Sequence, residues 1–308
     1  MKEIVLDIHT TAEVAVAGGA GPLAARERVA AYVELTKPRI TLFIALTTAA
    51  GFLLASRSGT DYLLLSHTLL AVSLLSSGVA ALNMYMERDL DRLMRRTAAR
   101  PLPTGKLTPA QALGFGLALV ATSEVYLAVR VNPQAALVGL FVVVGYLFCY
   151  TPLKTRTSAS TFVGAFPGAA PPLMGWVAAT GRFDLEAWVL FAILFLWQFP
   201  HFFAIAWMYK EDYARAGVRM LPVIESDGRM TGRQVVATAL MLIPVSLFPV
   251  ATGLAGRVYF YGALALGLLY LAAGLLAAFT ASRHNARRLL LASVLYLPVL
   301  FGLMVINR

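Results

Sequence analysis

Tyr62-Leu-Leu-Leu-Ser-His-Thr-Leu-Leu-Ala-Val-Ser-Leu-Leu-Ser-Ser-Gly-Val-Ala-Ala-Leu-Asn-Met-Tyr-Met86 contains no acid, lysine or arginine, and Glu87-Arg-Asp-Leu-Asp-Arg92 follows it at once. A helix of about 20 apolar residues crosses the hydrocarbon of a bilayer. Backbone polar groups in lipid must be satisfied within the segment, so this run is a helix. The pattern repeats outward from it. Apolar runs lie at about 40–56, 62–86, 108–129, 134–151, 159–179, 185–208, 234–254, 258–281 and 288–306, with polar breaks between them. Nine such runs predict an all-α polytopic membrane protein.

The composition agrees. Of 308 residues, 59% are apolar and only 14% charged, against roughly a quarter charged in a soluble domain. Mean hydropathy is +0.72. High hydropathy excludes a disordered chain, and the lone Cys149 excludes a disulfide scaffold. The net charge of +10 would suggest nucleic acid in a soluble protein. Here its distribution gives another reading, with no nucleic-acid partner. All but five of the 26 basic residues fall in the N-terminal segment or in the breaks after the even-numbered runs; the five are Arg57, Arg130, Arg182, Arg257 and Arg308. The positive-inside rule then puts the N-terminus in the cytoplasm and the C-terminus outside. An odd number of spans requires the same separation.

Residues 1–30 hold a Gly/Ala patch and mixed charge without an evident cleavable signal, and read as a flexible cytoplasmic leader. Residues 31–308 read as one membrane-embedded domain. Two breaks on the basic face are long and carry both signs of charge, at about 87–107 and 209–233. A plain connector needs only a few residues. Two long charged loops on one face suggest a shared site.

The first loop carries Asn83, Glu87 and Asp91 at four-residue steps, which stacks them on one helical face. An amide and two carboxylates offer hard oxygens to Mg²⁺, which takes one or two carboxylates and completes its octahedron with water and substrate phosphate. Arg95, Arg96 and Arg100 follow, and arginine suits phosphate oxygens. The bland alternative is a solvated helix end with local ion pairs, Glu87 to Arg92 or Asp91 to Arg95 or Arg96, and the loop alone does not separate the two. Asp89 lies off the column and pairs with a neighbouring arginine on either reading. In the second loop Glu211 and Asp212 lie between Lys210 and Arg215. Facing the first column, they would bring a second Mg²⁺ to one diphosphate, and metal with basic residues would stabilise its departure.

Three further features lie beside these loops. His201 and Gln198 are polar residues within an apolar run, and such residues are functional candidates by default; a histidine bonded to a neighbouring helix is an equal reading. Trp197, Phe199, Phe202, Phe203 and Trp207 form an aromatic wall, either packing or a shelter for a cation. Tyr150 and Lys154 end the fourth run, as an interfacial belt and snorkelling lysine or as a cation-facing ring and a phosphate ligand.

Together these stretches resemble the UbiA superfamily of intramembrane prenyltransferases, and within it the heme-directed members. The resemblance rests on Glu34-Leu-Thr-Lys37-Pro-Arg39-Ile40, Asn83 to Asp91 with Arg100-Pro-Leu102, Tyr150 to Lys154, and Trp197-Gln-Phe-Pro-His201 through Asp212 and Gly217 to Pro222. It covers about residues 30–306. The second acidic motif departs from the quinone-type pattern. Asp212 is followed four later by Ala216, and Glu211 by Arg215.

The resemblance implies nine helices around a central cavity in the cell inner or plasma membrane. It implies Mg²⁺-assisted ionisation of farnesyl diphosphate and transfer of the farnesyl group to a vinyl group of heme B, giving heme O. Asn83, Glu87, Asp91, Tyr150, Lys154 and Asp212 would be catalytic. Asn83, Glu87, Asp91, Glu211 and Asp212 would hold metal. Lys37, Arg39, Arg95, Arg96, Arg100, His201, Lys210 and Arg215 would bind substrate. Association with the next heme-modifying enzyme is a further expectation. The alternatives are a prenyltransferase acting on an aromatic or quinone precursor and, more remotely, a transporter. A transporter would place its charges near the midplane, whereas here they gather at one face.

Overall fold

A computed structural model describes residues 24–57, 59–280 and 282–308. Twelve helices account for nearly all of it. They are α1 (Ala25–Leu35), α2 (Pro38–Ala55) and α3 (Tyr62–Leu93); α4 (Pro109–Val131), α5 (Pro133–Leu153), α6 (Ser160–Thr180) and α7 (Leu185–Met208); the short α8 (Lys210–Arg215) and α9 (Leu221–Ile224); and α10 (Arg229–Ala251), α11 (Arg257–Thr280) and α12 (Arg283–Ile306). Among the described residues, nine of these are long and apolar enough to cross a membrane, as the hydropathy predicts, and the protein is a multi-pass membrane protein. The start of α1 at Ala25 lies within the segment that the sequence sets apart as a leader; residues 1–23 lie outside the described residues.

Polar caps at the breaks set where the helices begin. Asp61 accepts from Leu64 N at 2.9 Å and opens α3. Thr108 and Gln111 form a reciprocal capping box at α4, with Pro109 in the first turn. Asn132 accepts from Ala135 N at 2.8 Å, and its amide donates to the carbonyls of Val177 and Ala178. One side chain thus starts α5 and ties it to the end of α6. Gly181, at φ +68°, closes α6 in the left-handed conformation.

α3 is the longest helix, at 32 residues. At 1.5 Å per residue it spans roughly 48 Å, well beyond the ~30 Å hydrocarbon core. The hydropathy ends the run at 86, but the helix continues through Glu87, Asp89 and Asp91 to Leu93. The acids therefore sit on a rigid helical extension rather than in a loop.

α6 is the most enclosed of the nine spans, with most of its residues buried. It packs against α2, α5 and α7, while α3 lies against α2 and α4. α7, α10, α11 and α12 form the other half, and α12 touches α2 to bring the halves together. Lipid gives no hydrophobic drive between helices, so close contact depends on small residues. At the α2–α6 crossing, a Cβ on Gly51 would collide with the Pro172 carbonyl and one on Gly175 with the Thr48 carbonyl. Backbone cannot retreat from such a clash. Gly175→Val is expected to destabilise the protein by on the order of 1–3 kcal/mol or more, seen as a sharply lower thermal midpoint in detergent. Gly114→Val, where nothing lies within 4 Å, should leave it unchanged; equal midpoints in scanning fluorimetry would refute this packing.

Candidate active site

Asn83, Glu87 and Asp91 occupy one face of α3, and all three are buried. Each has a partner from a different part of the chain. Lys37 Nζ donates to Asn83 Oδ1 at 3.2 Å. Lys154 Nζ donates to Glu87 Oε1 at 2.6 Å. Arg100 donates to both Asp91 oxygens at 2.8 Å. The local ion pairs that the sequence allowed, to Arg92, Arg95 or Arg96, do not form on this column. Asp89 alone behaves that way, within 3.7–3.8 Å of Arg92 and Arg88.

The backbone is shaped to make these meetings. Lys37 joins α1 to α2 with φ +46°, a left-handed conformation that costs a non-glycine residue about 1–2 kcal/mol. Pro38 follows it, and a proline disfavours the ordinary helical conformation in the residue before it. The kink turns Lys37 toward α3. Burial, then the charges of Arg100 and Lys154, pulls its ammonium down to about 8. Beyond α3 the chain folds back on itself. Thr97 donates to the Asp91 carbonyl at 3.0 Å, and the turn returns Arg100 to the Asp91 side chain.

Lys154 follows α5, whose last turns, Val144–Tyr150, are π-helical. Such bulges are frequent at functional sites. Here the wider turn gathers Tyr146, Tyr150, Thr151 and Lys154 near α3. Lys154 Nζ lies 4.5 Å from the centre of the Tyr150 ring and 6.0 Å from that of Tyr146. Burial opposes the charge on Lys154, but the contacts with Tyr150 and Glu87 outweigh it and hold the ammonium above the ordinary lysine range. Thr151 accepts from Asn83 Nδ2 at 3.3 Å and donates to the Tyr146 carbonyl at 2.8 Å, so the Asn83 oxygen is turned to Lys37. Thr151 and Tyr146 are site residues that the sequence reading missed. A threonine before a proline reads as a helix boundary, and the π-turn that brings in Tyr146 has no sequence signature.

The second loop docks on the first. Asp212 is buried and accepts from Arg96 N at 3.3 Å and from the Arg215 guanidinium. Arg215 Nε also donates to the Leu93 carbonyl at 3.3 Å. The Arg96 guanidinium lies over Tyr209 and Tyr213, 4.9 and 5.6 Å from their ring centres. Ala216 packs with Met94 and Val218 in a small apolar cluster. Other predicted residues stand apart. Arg39, Arg95 and Glu211 are exposed. Lys210 turns away to the Glu225 carbonyl, 3.0 Å distant. Among the described residues, no three His, Cys, Asp or Glu side chains converge as a metal cluster.

His201 lies deeper in the bundle. Its Nδ1 is 2.7 Å from Ser293 Oγ, which donates its single proton to the Leu290 carbonyl at 2.6 Å. With the Ser293 proton on that carbonyl, Nδ1 is the donor to Ser293, which leaves the Nε2 lone pair of the neutral ring free. Trp197 stacks on the ring with centroids 4.7 Å apart and donates to the Ser293 carbonyl at 2.9 Å. Gln198 points the other way, donating to the Ala165 carbonyl at 2.8 Å. Below Lys37, an apolar cavity of about 140 Å³ runs between α2, α3, α5 and α6. Its α3 wall extends from Ala80 to Val72, roughly 12 Å along the helix axis.

Acids paired with bases above an apolar slot suit a ligand with a polyanionic head and a hydrocarbon tail. The wider comparisons agree. Residues 44–303 match the model of the UbiA prenyltransferase family, and the chain belongs to that family: it is a prenyltransferase. Similar proteins include the protoheme IX farnesyltransferase of Solibacter usitatus (strain Ellin6076), 51% identical over 90% of this chain and 98% of that protein. That of Koribacter versatilis (strain Ellin345) is 46% identical over 90% and 93%. The fold is shared with a digeranylgeranylglyceryl phosphate synthase at TM-score 0.77 and 17% identity, over 91% of this chain and 98% of that one. It is also shared with a UbiA homologue from Archaeoglobus fulgidus bound to GPP and Mg²⁺, at 0.63 and 17%, over 89% and 99%.

Gly164 lets α6 approach the Tyr150 ring, whose Cδ2 would lie 2.5 Å from a Cβ there. Gly164→Ala is expected to lower both thermal stability and turnover. Tyr150→Ala in the same molecule should recover the stability but not the turnover, a non-additivity that reports direct contact. Strictly additive melting shifts would show that the ring does not press on α6.

Proposed function

We propose that this chain transfers the farnesyl group of farnesyl diphosphate to a vinyl group of heme B, giving heme O. One observation carries the reading: hard oxygens for a divalent cation, basic groups for a diphosphate and an apolar slot for a prenyl tail lie together at the end of α3. The names of the similar proteins support heme B as the acceptor.

Asn83, Glu87 and Asp91 would hold Mg²⁺, with Asp212 contributing from the second loop, while Glu211, exposed beside it, stands outside that set. The donors fit, because Mg²⁺ needs only one or two carboxylates when water and phosphate complete its shell. Bound there, it would neutralise charge on the departing diphosphate. Lys37, Lys154 and Arg100 bind phosphate oxygens at the mouth, with Arg96 and Arg215 around the rim; Arg39, Arg95 and Lys210 stand outside it. The farnesyl tail lies in the cavity between α2, α3, α5 and α6. The allylic C–O bond breaks with its electron pair leaving on the diphosphate. Tyr150, whose ring already faces an ammonium, offers its face to the allylic cation. The terminal vinyl carbon bonds to farnesyl C1, and the cation left beside the porphyrin ring takes up water and releases a proton.

The distribution of basic residues supports a cytoplasmic N-terminus and an external C-terminus in the cell inner or plasma membrane. Residues 31–308 act as one embedded domain. The product is retained by the bilayer, which favours association with the next heme-modifying enzyme.

Purified protein supplied with heme B, farnesyl diphosphate and Mg²⁺ should yield a product with the mass of heme O. Prenylation of a hydroxybenzoate acceptor alone would refute the heme reading. Glu87→Gln and Asp91→Asn should each reduce turnover on the order of a hundredfold or more; wild-type rates in both would remove the metal site. The Nε2 lone pair of His201 is proposed to meet the heme. His201→Ala should therefore change the visible spectrum of bound heme B, and an unchanged spectrum would make the histidine a purely structural link to Ser293.

A further inference from the structure

We propose that Lys154 and Arg100 are exchangeable counter-ions, which leave Glu87 and Asp91 for the diphosphate, so that metal and diphosphate each bind far more tightly in the presence of the other. The inference rests on the metal–diphosphate reading of the site and concerns the order in which it fills.

The paired state is closely built. Lys154 lies 2.6 Å from Glu87, their side chains 16% and 10% exposed. Arg100 lies 2.8 Å from Asp91, at 22% and 1%. Lys37 adds a third cation on Asn83. Two carboxylates against three cations leave the buried site with one positive charge. A divalent cation arriving alone would raise that to three while competing for oxygens already taken. Expelling Lys154 or Arg100 without a new partner would leave a charge unpaired in an enclosed site, which is strongly unfavourable. A diphosphate arriving alone would meet bases committed to the carboxylates. When both arrive, each base moves from a carboxylate to a phosphate oxygen, and the carboxylates turn to the metal. Every charge keeps a partner throughout. Lys154 and Arg100 can make this short move because both follow the helices that carry the site, in the chain just beyond α5 and in the turn after Asp91.

Coupling of this kind is reciprocal. It also makes an unusual prediction: removal of a basic residue should improve metal binding. Calorimetric titration with Mn²⁺ alone is expected to show weak binding to the wild-type protein. Lys154→Gln and Arg100→Gln should bind Mn²⁺ tighter by on the order of tenfold. The same variants should retain radiolabelled pyrophosphate less well, by a similar factor, in equilibrium dialysis at fixed Mn²⁺. Arg233→Gln, an exposed position away from the column, should alter neither.

If neither variant gains Mn²⁺ affinity, or if the gain comes without loss of pyrophosphate, the exchange is wrong. Should a variant fail to fold, the wild-type protein still decides. Mn²⁺ with pyrophosphate must raise its thermal midpoint more than the sum of the two separate shifts, and additive shifts overturn the proposal. Failure of the underlying reading looks different: no pyrophosphate is then retained by wild-type protein at any Mn²⁺ concentration.

Discussion

A charge beside hydrocarbon must have a partner, and this constraint organises the molecule. Carboxylates enclosed at the end of a membrane helix are tolerable only if bases reach them. Glu87 and Asp91 draw in Lys154 from the chain after α5 and Arg100 from the turn beyond α3. Asn83 draws Lys37 from the junction before α2. Two segments distant in sequence and the turn after α3 thereby converge on one helical face. The strained backbone at Lys37 and the π-turn of α5 belong to the same arrangement, since both direct side chains that the column needs.

Close packing places the column within reach. α6 carries Pro167, Pro171 and Pro172 and many small residues, and it is the most buried span. Gly51 and Gly175 bring α2 onto it, and Gly164 gives the Tyr150 ring room. α2 and α5, whose ends adjoin Lys37 and Lys154, therefore lean on a common support. The cavity below Lys37 lies beside that support and is apolar. Thus one end of the site is governed by charge neutralisation and the other by the spacing of helices.

The spans were legible in the sequence because bilayer thickness imposes a length on every apolar run. The column was legible because helix geometry fixes which residues four apart share a face. Its partners were not. Local spacing favoured Arg92, Arg95 and Arg96, yet those arginines lie near the surface or over tyrosine rings, while Lys154 is 67 residues from Glu87. Such pairing is set by tertiary packing, which short-range spacing does not encode. The same holds for Thr151, and for Ser293, which meets the ring of His201 from α12. His201 itself was conspicuous as a polar residue in an apolar run, but its hydrogen-bond partner had no signal of its own.

The second acidic motif shows how a missing residue can be informative. A carboxylate at position 216 would enter the cluster of Ala216, Met94 and Val218. Burying a charge there without a partner would be strongly unfavourable. The small apolar residue instead lets the second loop close on the end of α3, where Arg215 links Asp212 to the Leu93 carbonyl and Arg96 donates its backbone N–H to Asp212. The second loop therefore contributes one buried carboxylate, already engaged with an arginine, rather than an open acidic pair. Its contribution to the site is asymmetric with that of α3: the first column offers oxygens in register, while the second loop chiefly closes over them.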